Sequence, residues 1–449
     1  MKHFLSTLKR TMCSALLASM FTLTATAQTS NGEHTVQSGE TLYHISKVYN
    51  TSIDEILRLN PGLTAATLKT GAVIKIPAAK QQSKTTTTST KPAAQGQTEV
   101  RAALLLPLSA TGIEGGRSLE FYRGFMMAAD KVEHDGGSVT LYGYDEKSTE
   151  ASLASTLEKI KQNGAQMIIG PVYPMHFAEV AAFARQNAIR MVVPFYSKVE
   201  QVNTNPYVYL INTPDKFEQE FKADLFVKTF PTSSVGNVAI MHMTGGTETA
   251  FTQSLKKRLN SLGYAVTEFS IDAPLEQMRS ACSAKHTTVI IPDDGREEAL
   301  NKVLVKMEGF KKYYPAYKTQ VIGYNKWLNG ETKYAERMHA ADMYVYATSF
   351  YNRYDRTTKQ FDADYEAQFQ ATQSDTNPRM ALLGYDTGLH LLNGVMKNGK
   401  AFSTQTTASR QLQSQIRFVR TEQDGGLISN SLFFIHYKTD GSTDRIAEK

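Results

Sequence analysis

The sequence predicts an α/β protein in which a small unit of two strands and two helices precedes a large domain of two doubly wound lobes. Residues 34–77 carry the order strand, helix, helix, strand in under 50 residues. From Val100 onward, apolar strand-like runs alternate with helical stripes, pause at 203–214, and then start again. The chain has 449 residues, of which 41% are hydrophobic, and this is enough apolar material for a core of several hundred residues.

Charge and cysteine content exclude several classes of function. The net charge of +6 includes three basic residues and no acid in the first 27, which leaves 46 basic and 43 acidic residues after them. Such a balance gives no reason to expect a nucleic-acid partner. Of the two cysteines, Cys13 lies in this leader and Cys282 is alone after it, so neither an internal disulfide nor a Cys₄ metal site is expected.

Residues 1–27 have the three parts of a secretory signal peptide. A positive end is followed by an apolar run at 15–23 and by the small-residue sequence Ala25-Thr26-Ala27. The run is shorter than the roughly 20 residues that span a bilayer, and no later stretch is long enough. We therefore expect an exported, periplasmic protein with a cleaved signal peptide and no transmembrane segment after its removal.

The small unit is predicted over residues 34–78. A strand at His34–Gln37 leads to a helix capped by Thr41, and a second helix over 52–59 stops at Asn60-Pro61-Gly62. The alternating run Gly71–Pro77 closes the unit as a second strand.

This unit resembles the LysM family. The family pattern matches Val36 through Ile45, then Asn60-Pro61, and then Gly71 through Pro77. The resemblance implies binding of N-acetylglucosamine-containing glycans, peptidoglycan above all, in a shallow groove between two loops. By position, the groove residues are Gly39, Glu40, Thr41 and Leu42 on one side and Asn60, Pro61, Gly62 and Leu63 on the other. For Leu42 and Pro61 a purely structural role is an equal alternative.

Residues 80–99 form the predicted linker. They contain a Thr/Ser run, Lys91-Pro92 and almost no large apolar residue, so they cannot bury a core and are expected to be disordered.

The large domain is predicted over residues 100–449, with lobes mainly at 100–212 and 214–340 before the chain recrosses to its C-terminus. The first-lobe strands are predicted at 101–106, 139–144, 166–169 and 189–193, with helices at 118–133, 153–163 and 176–187. In the second lobe, strands are predicted at 238–241, 266–269, 288–291 and 320–323. Short connections between these elements favour parallel, doubly wound sheets.

This domain resembles the type I periplasmic-binding-protein fold of branched-chain amino-acid receptors. The matching motifs are Leu105 through Ser109, Gly116 with Arg123 through Ala129, Ile168-Ile169-Gly170-Pro171, and Gly384-Tyr385-Asp386. The opening is also similar to that of the lipoprotein activators of peptidoglycan synthases. The resemblance implies a bilobed domain with a cleft that holds a small ligand or a protein partner.

One departure from the receptor pattern concerns the ligand. Amino-acid receptors follow Gly-Pro with hydroxyl residues that hold a carboxylate, whereas this chain continues Val172-Tyr173-Pro174-Met175. Pro174 has no N–H and Met175 offers no useful hydrogen bond, which argues against an α-amino acid. The tyrosines at strand ends either stack against a sugar or only pack within the fold.

The predicted cleft residues follow the strands, because ligands of open α/β sheets bind beyond the carboxyl ends of the strands. They are Leu108, Ser109, Tyr144, Asp145, Pro171, Val172, Tyr173, Tyr196 and Ser197 in the first lobe, with Asn325 facing them from the second.

Three motif matches suggest enzymes, and the sequence favours none of them. Ser254 through Lys257 fits S-x-x-K, but the accompanying Lys69-Thr70-Gly71 lies in the small unit, across the linker. Cys282 and His286 lack a flanking nucleophile motif, and the histidines show no zinc-ligand spacing. No catalytic residue, metal or cofactor is expected.

The sequence therefore predicts a non-enzymatic, cell-wall-associated binding protein. Its small unit binds peptidoglycan, and its large domain recognises a small ligand or a cell-wall synthesis protein. A regulator of peptidoglycan synthases and the solute receptor of an ABC importer remain alternatives. A receptor needs a cleft lined by convergent polar groups, whereas a regulator tolerates a closed or apolar one.

Overall fold

The computed structural model describes residues 32–36, 45, 49, 51, 53–63, 71–77, 99–147, 152–405 and 410–447. The predicted signal peptide and residues 80–98 of the predicted linker lie outside these ranges. Within the described ranges, no helix has the length and apolar character needed to cross a membrane.

The small unit is closed by two antiparallel strands. Its described elements are β1 (Gly32–Thr35), α1 (Ile53–Leu59) and β2 (Val73–Ile76). Strands β1 and β2 pair over their full length. Five buried residues, one directly after β1 and the others from the helical segments and β2, form a separate core: Val36, Ile45, Ile56, Ile74 and Ile76. Most of the first predicted helix lies outside the described residues.

The first lobe is built on a sheet in the order β13-β14-β7-β6-β5-β3-β4. Its strands from β4 to β14 run parallel, and β13 alone is antiparallel. Its N-terminal part contains β3 (Val100–Leu106), α2 (Gly112–His134), β4 (Val139–Asp145), α3 (Leu153–Gln162), β5 (Met167–Ile169), α4 (Phe177–Asn187), β6 (Arg190–Val193) and β7 (Val208–Leu210).

The second lobe repeats this architecture with a sheet in the order β16-β15-β12-β11-β10-β8-β9. Its elements are α5 (Asp215–Thr229), β8 (Asn237–His242), α6 (Thr249–Ser261), β9 (Val266–Ser270), α7 (Leu275–Ser280), β10 (Thr288–Pro292), α8 (Glu297–Tyr313), β11 (Thr319–Gly323), α9 (Glu331–Ala340) and β12 (Met343–Ala347).

The C-terminal part serves both lobes, so the chain passes between them three times, at 211–214, 348–355 and 430–432. Helices α10 (Arg356–Phe369) and α11 (Met380–Asn398) and strands β13 (Phe418–Arg420) and β14 (Leu427–Ser429) return to the first lobe. Strands β15 (Phe433–Tyr437) and β16 (Thr443–Ala447) complete the second. The predicted fold class, two doubly wound sheets in a bilobed domain, is confirmed.

Two glycines of the sequence motifs allow α2 and α11 to lie in direct backbone contact. A Cβ atom at Gly124 would lie 1.8 Å from the carbonyl oxygen of Ala381, and one at Gly384 would lie 2.0 Å from that of Phe121. Only glycine fits such an approach. The two helices are thereby packed together on the first-lobe sheet, where they bury residues from α2, α11 and β3 in one core.

Candidate functional site

In the small unit, Asn60 joins the end of α1 to β2. Its side-chain amide donates to the carbonyl oxygens of Ile56 and Lys75, each at 2.7 Å, and its Oδ1 accepts from the Lys75 amide at 2.8 Å. These bonds hold the loop in place and occupy the polar groups of Asn60. Pro61 and Gly62 are exposed beside it, and Leu63 packs against the small core. Gly39, Glu40, Thr41 and Leu42 lie outside the described residues.

In the large domain, Tyr144 and Leu108 face the first-lobe interior. The hydroxyl of Tyr144 accepts a hydrogen bond of 2.8 Å from Asn163, at the end of α3, and its ring packs on the core below. Leu108 packs against the core between α2 and the sheet, while its neighbour Ser109 is exposed. Asp145 accepts the amide of Lys147 at 3.1 Å. The ring of Tyr144 is therefore engaged in packing.

The loop after Gly170-Pro171 does bind a carboxylate, and that carboxylate belongs to the protein. Glu146, one residue beyond β4, accepts the amide of Val172 at 2.6 Å and that of Tyr173 at 2.8 Å. Its side chain is 0% exposed and also lies 2.9 Å from Nδ1 of His176. Burial raises the pKa of Glu146, while the amides and His176 act in the opposite direction.

Tyr173 and Tyr196 lie at the rim of this first-lobe edge. The hydroxyl of Tyr173 donates to Glu114 at 3.2 Å, and burial together with that carboxylate raises the pKa of Tyr173 to about 12. The ring of Tyr196 is 37% exposed and meets Phe177 edge-on at 5.5 Å between centroids. Pro171 and Val172 are buried.

The second lobe carries a comparable internal carboxylate at the end of β10. Asp293 accepts the Met243 amide at 2.7 Å and lies 2.9 Å from Nδ1 of His242. Asp294 next to it binds the Arg296 guanidinium, and these bonds offset its burial and lower its pKa. Both lobes thus neutralise their strand-end carboxylates internally.

A cavity of about 310 Å³ lies where the crossing segments meet the ends of strands from both lobes. Ser197 follows β6 and Asn325 follows β11, so the structure brings these two predicted cleft residues to one site. The other predicted cleft residues are not part of its lining. Eight neutral polar residues line it: Ser197, Asn212, Thr213, Asn325, Thr348, Ser349, Ser414 and Ser431.

The charged residues of this cavity are Asp215, Glu218 and Lys222, all from α5. The Lys222 amine lies 2.8 Å from Glu218 and 3.6 Å from Glu248, and its side chain is 11% exposed. It also lies 5.6 Å from the centroid of the Tyr324 ring. Lys222 is thus neutralised within the protein.

Sequence reasoning did not single out Asn212, Thr213, Lys222, Ser414 and Ser431. A signal existed for the first two, because they lie where the alternation of strands and helices pauses. Ser414 lies between α11 and β13 and Ser431 lies in the last crossing segment, and the place of both beside α5 depends on the three-dimensional path of the chain.

Of the residues in the enzyme-like motifs, the structure describes Ser254, Cys282 and His286, whereas Lys69 and Thr70 lie outside the described residues. Ser254 is exposed on α6, where Lys256 pairs with Glu268 at 2.6 Å. Burial raises the pKa of Cys282 to about 11, which disfavours the nucleophilic thiolate. Among the described residues, no group of three or more histidine, cysteine or acidic side chains is placed to hold a metal ion.

Comparison with known proteins gives a family match for the small unit and a similarity of fold for the large domain. Residues 34–77 match the family model of the LysM domain and form such a domain. A search of curated protein sequences found no match.

The fold of the large domain is similar to that of a solved ABC transporter protein, and two further structures are more distant. A branched-chain amino acid ABC transporter protein of Rhodospirillum rubrum is 15% identical with a TM-score of 0.51, covering 78% of this chain and 99% of its own. A periplasmic ligand-binding protein of Burkholderia xenovorans is 14% identical in sequence, with a TM-score of 0.46. The match covers 78% of this chain and 94% of that protein. LpoA of Haemophilus influenzae is 12% identical in sequence, with a TM-score of 0.47. The match covers 79% of this chain and 60% of LpoA.

Proposed function

We propose that this protein is an exported, non-enzymatic binding protein of the cell wall. Its LysM domain holds peptidoglycan, and its bilobed domain recognises a small ligand between the lobes. The observation that carries the second part is the cavity, where side chains from both lobes and from the crossing segments present polar groups to one space.

The cavity favours a ligand receptor over a regulator that binds protein partners alone. A vestigial cleft would be closed or apolar, whereas Ser197, Asn212 and Asn325 converge on this one from different segments. The internal use of the Val172 and Tyr173 amides by Glu146 supports a ligand other than an α-amino acid, because those amides are not available to a ligand carboxylate.

Sedimentation with purified peptidoglycan sacculi tests the anchoring role. We expect the full chain to sediment with sacculi and a chain lacking residues 34–77 to stay in the supernatant. That deletion is suitable because the hydrophobic core of the LysM domain is formed by residues of that domain. The variant Asn325→Ala, altered only in the large domain, should sediment like the wild type. Equal sedimentation of the deleted chain would refute the LysM anchor.

A second assay tests the non-enzymatic part of the proposal. Incubation of the full chain with sacculi should release no muropeptides. Release that disappears in Ser254→Ala or Cys282→Ala would show that the protein is an enzyme.

A further inference from the structure

Resting on the function proposed above, in which the large domain binds a small ligand, we infer that this ligand is uncharged, rich in hydroxyl groups and of monosaccharide size. Its site is the cavity between the lobes, with Asn212 and Asn325 as the main polar contacts.

The charge of the cavity excludes an anion. Lys222 is the cationic member of its described lining, and its amine already lies within 4 Å of two carboxylates, those of Glu218 and Glu248. Asp215 adds a further negative charge at the start of α5. A ligand carboxylate or phosphate would enter without a free cation to pair with, and an unpaired charge in a partly buried site is unfavourable.

The uncommitted polar groups are neutral. The hydroxyl groups of Thr213, Ser349 and Ser431 already form hydrogen bonds with other protein groups. By contrast, no side-chain hydrogen bond links Ser197, Asn212, Asn325 or Thr348 to another residue in the described part of the chain. The hydroxyl of Ser414 is buried and also lacks a partner there. Each free amide both donates and accepts, as the hydroxyl groups of a sugar require.

The size and the remaining lining agree with this class of ligand. A space of about 310 Å³ is at the low end of the range for small-molecule sites. Apolar surface is supplied by Ile211, Leu383, Ile416 and Leu432, together with the ring of Tyr346. A sugar ring has polar edges and an apolar face, and so matches a lining of both kinds.

Trp327 makes the cavity observable without interference from the LysM domain. It is the single tryptophan of the chain, is fully buried, and lies in the same 3₁₀ turn as Asn325. Tyr324, which lies near Lys222, packs edge-on against its ring at 5.9 Å. A change in tryptophan fluorescence therefore reports events at the cavity, even when the same sugar binds elsewhere on the full chain.

The experiment titrates the full chain with two matched pairs of probes while tryptophan fluorescence is recorded. The pairs are glucose with glucuronate, in which the C6 hydroxymethyl is replaced by a carboxylate, and N-acetylglucosamine with N-acetylmuramate, which adds a lactyl ether that ends in a carboxylate. We expect a saturable response to an uncharged member, and binding at least tenfold weaker for its charged counterpart. Asn212→Ala and Asn325→Ala should each weaken the response at least tenfold. The control Asn260→Ala, at an exposed position of α6, should respond like the wild type.

Two results would overturn the inference: a charged probe that binds as tightly as its uncharged counterpart, or no response to any of the four sugars. Sacculus sedimentation of the same preparations separates this failure from that of the anchoring function. A chain that sediments without a fluorescence response refutes the cavity ligand alone, and a chain that responds without sedimenting refutes the LysM anchor alone.

Discussion

The carboxylate of Glu146 accepts a hydrogen bond of 2.6 Å from the backbone amide of Val172. This contact lies directly after Gly170-Pro171, the position at which the resemblance to amino-acid receptors implies contacts to a ligand carboxylate. The same carboxylate accepts a hydrogen bond from the Tyr173 amide and lies within hydrogen-bond distance of His176 Nδ1. A single buried side chain therefore binds two backbone amides and one imidazole of the same loop. The loop therefore has its shape without a ligand.

Replacement of Glu146 tests this relationship. Glu146→Ala leaves two amides and one imidazole without their acceptor, and unsatisfied buried groups cost roughly 1–3 kcal/mol each. We expect urea unfolding to show that Glu146→Ala lowers the free energy of unfolding by about 3 kcal/mol. Formate at 100 mM, a carboxylate small enough for the vacated space, should partly restore this free energy in the variant and have no such effect on the wild type. The control Glu114→Ala, at an exposed carboxylate whose side-chain partner among the described residues is Tyr173, should be nearly neutral. Unchanged stability of Glu146→Ala, or equal formate effects on the wild type, would contradict the assignment.

How far the sequence predicts this molecule depends on the range of the interactions. Periodicity and local motifs predict the LysM unit and the doubly wound lobes, because strands and helices depend on patterns within about 20 residues. Ser197 and Asn325 are also predictable, since each follows a strand. Asn212, in a crossing segment, and Ser414, between α11 and β13, share the cavity only through the three-dimensional path of the chain, and no local pattern contains that relationship. Glu146 carried one weak signal, an acidic residue just past a strand end.

Asp386 and Arg445 fix the segment at 412–414 from opposite sides. Asp386 accepts the amides of Leu412, Gln413 and Ser414 at 2.6 to 3.0 Å. Arg445 donates to carbonyl oxygens of the same three residues. Because Asp386 belongs to α11 of the first lobe and Arg445 to β16 of the second, this segment joins the lobes.

We expect Asp386→Ala to destabilise the large domain by about 3 kcal/mol or more, since three buried amides lose their acceptor at once. Asp386→Asn should restore little, because its NH₂ group would face an amide donor. Chemical unfolding followed by circular dichroism measures both. Asp375→Ala, at a side chain that is 94% exposed, is the matched control. Equal stability of the Asp386 and Asp375 variants would refute the role of this contact.

The approach of α2 to α11 predicts opposite effects for two glycines of one helix. Gly124→Ala places a methyl group 1.8 Å from the Ala381 carbonyl, so the helices must separate, at a cost of about 1–3 kcal/mol or more. Gly116→Ala meets nothing within 4 Å and should stabilise α2 by about 0.5–1 kcal/mol. Thermal unfolding of the two variants compares them directly. A Gly124→Ala protein as stable as Gly116→Ala would mean that the helices are further apart.

Cys282 should react slowly in the folded protein. Burial raises the pKa of its thiol to about 11, so little thiolate exists at neutral pH, and the side chain is only partly accessible. With a chromogenic disulfide reagent at pH 7.5, we expect modification at least tenfold slower than in urea-unfolded protein. Burst-like modification of the folded chain would instead indicate an activated cysteine and favour the enzyme interpretation that Cys282 and His286 suggest.

His390, in α11, should make the large domain sensitive to acid. It is 1% exposed, and burial lowers its pKa from 6.5 to about 4, because the charged imidazolium is disfavoured in the core. The unfolded chain therefore binds this proton first as the pH falls. Protonation of His390 therefore does not reduce the free energy of unfolding above pH 6.5. Between pH 6.5 and about 4 it reduces this free energy by a total on the order of 3 kcal/mol.

Because other groups titrate in the same pH range, the wild type must be compared with His390→Leu in urea unfolding at pH 7.5 and pH 4. The wild type should lose on the order of 3 kcal/mol more than His390→Leu, whereas His134→Leu, at an exposed histidine of α2, should follow the wild type. Parallel pH profiles for the wild type and His390→Leu would show that His390 titrates normally in the folded protein.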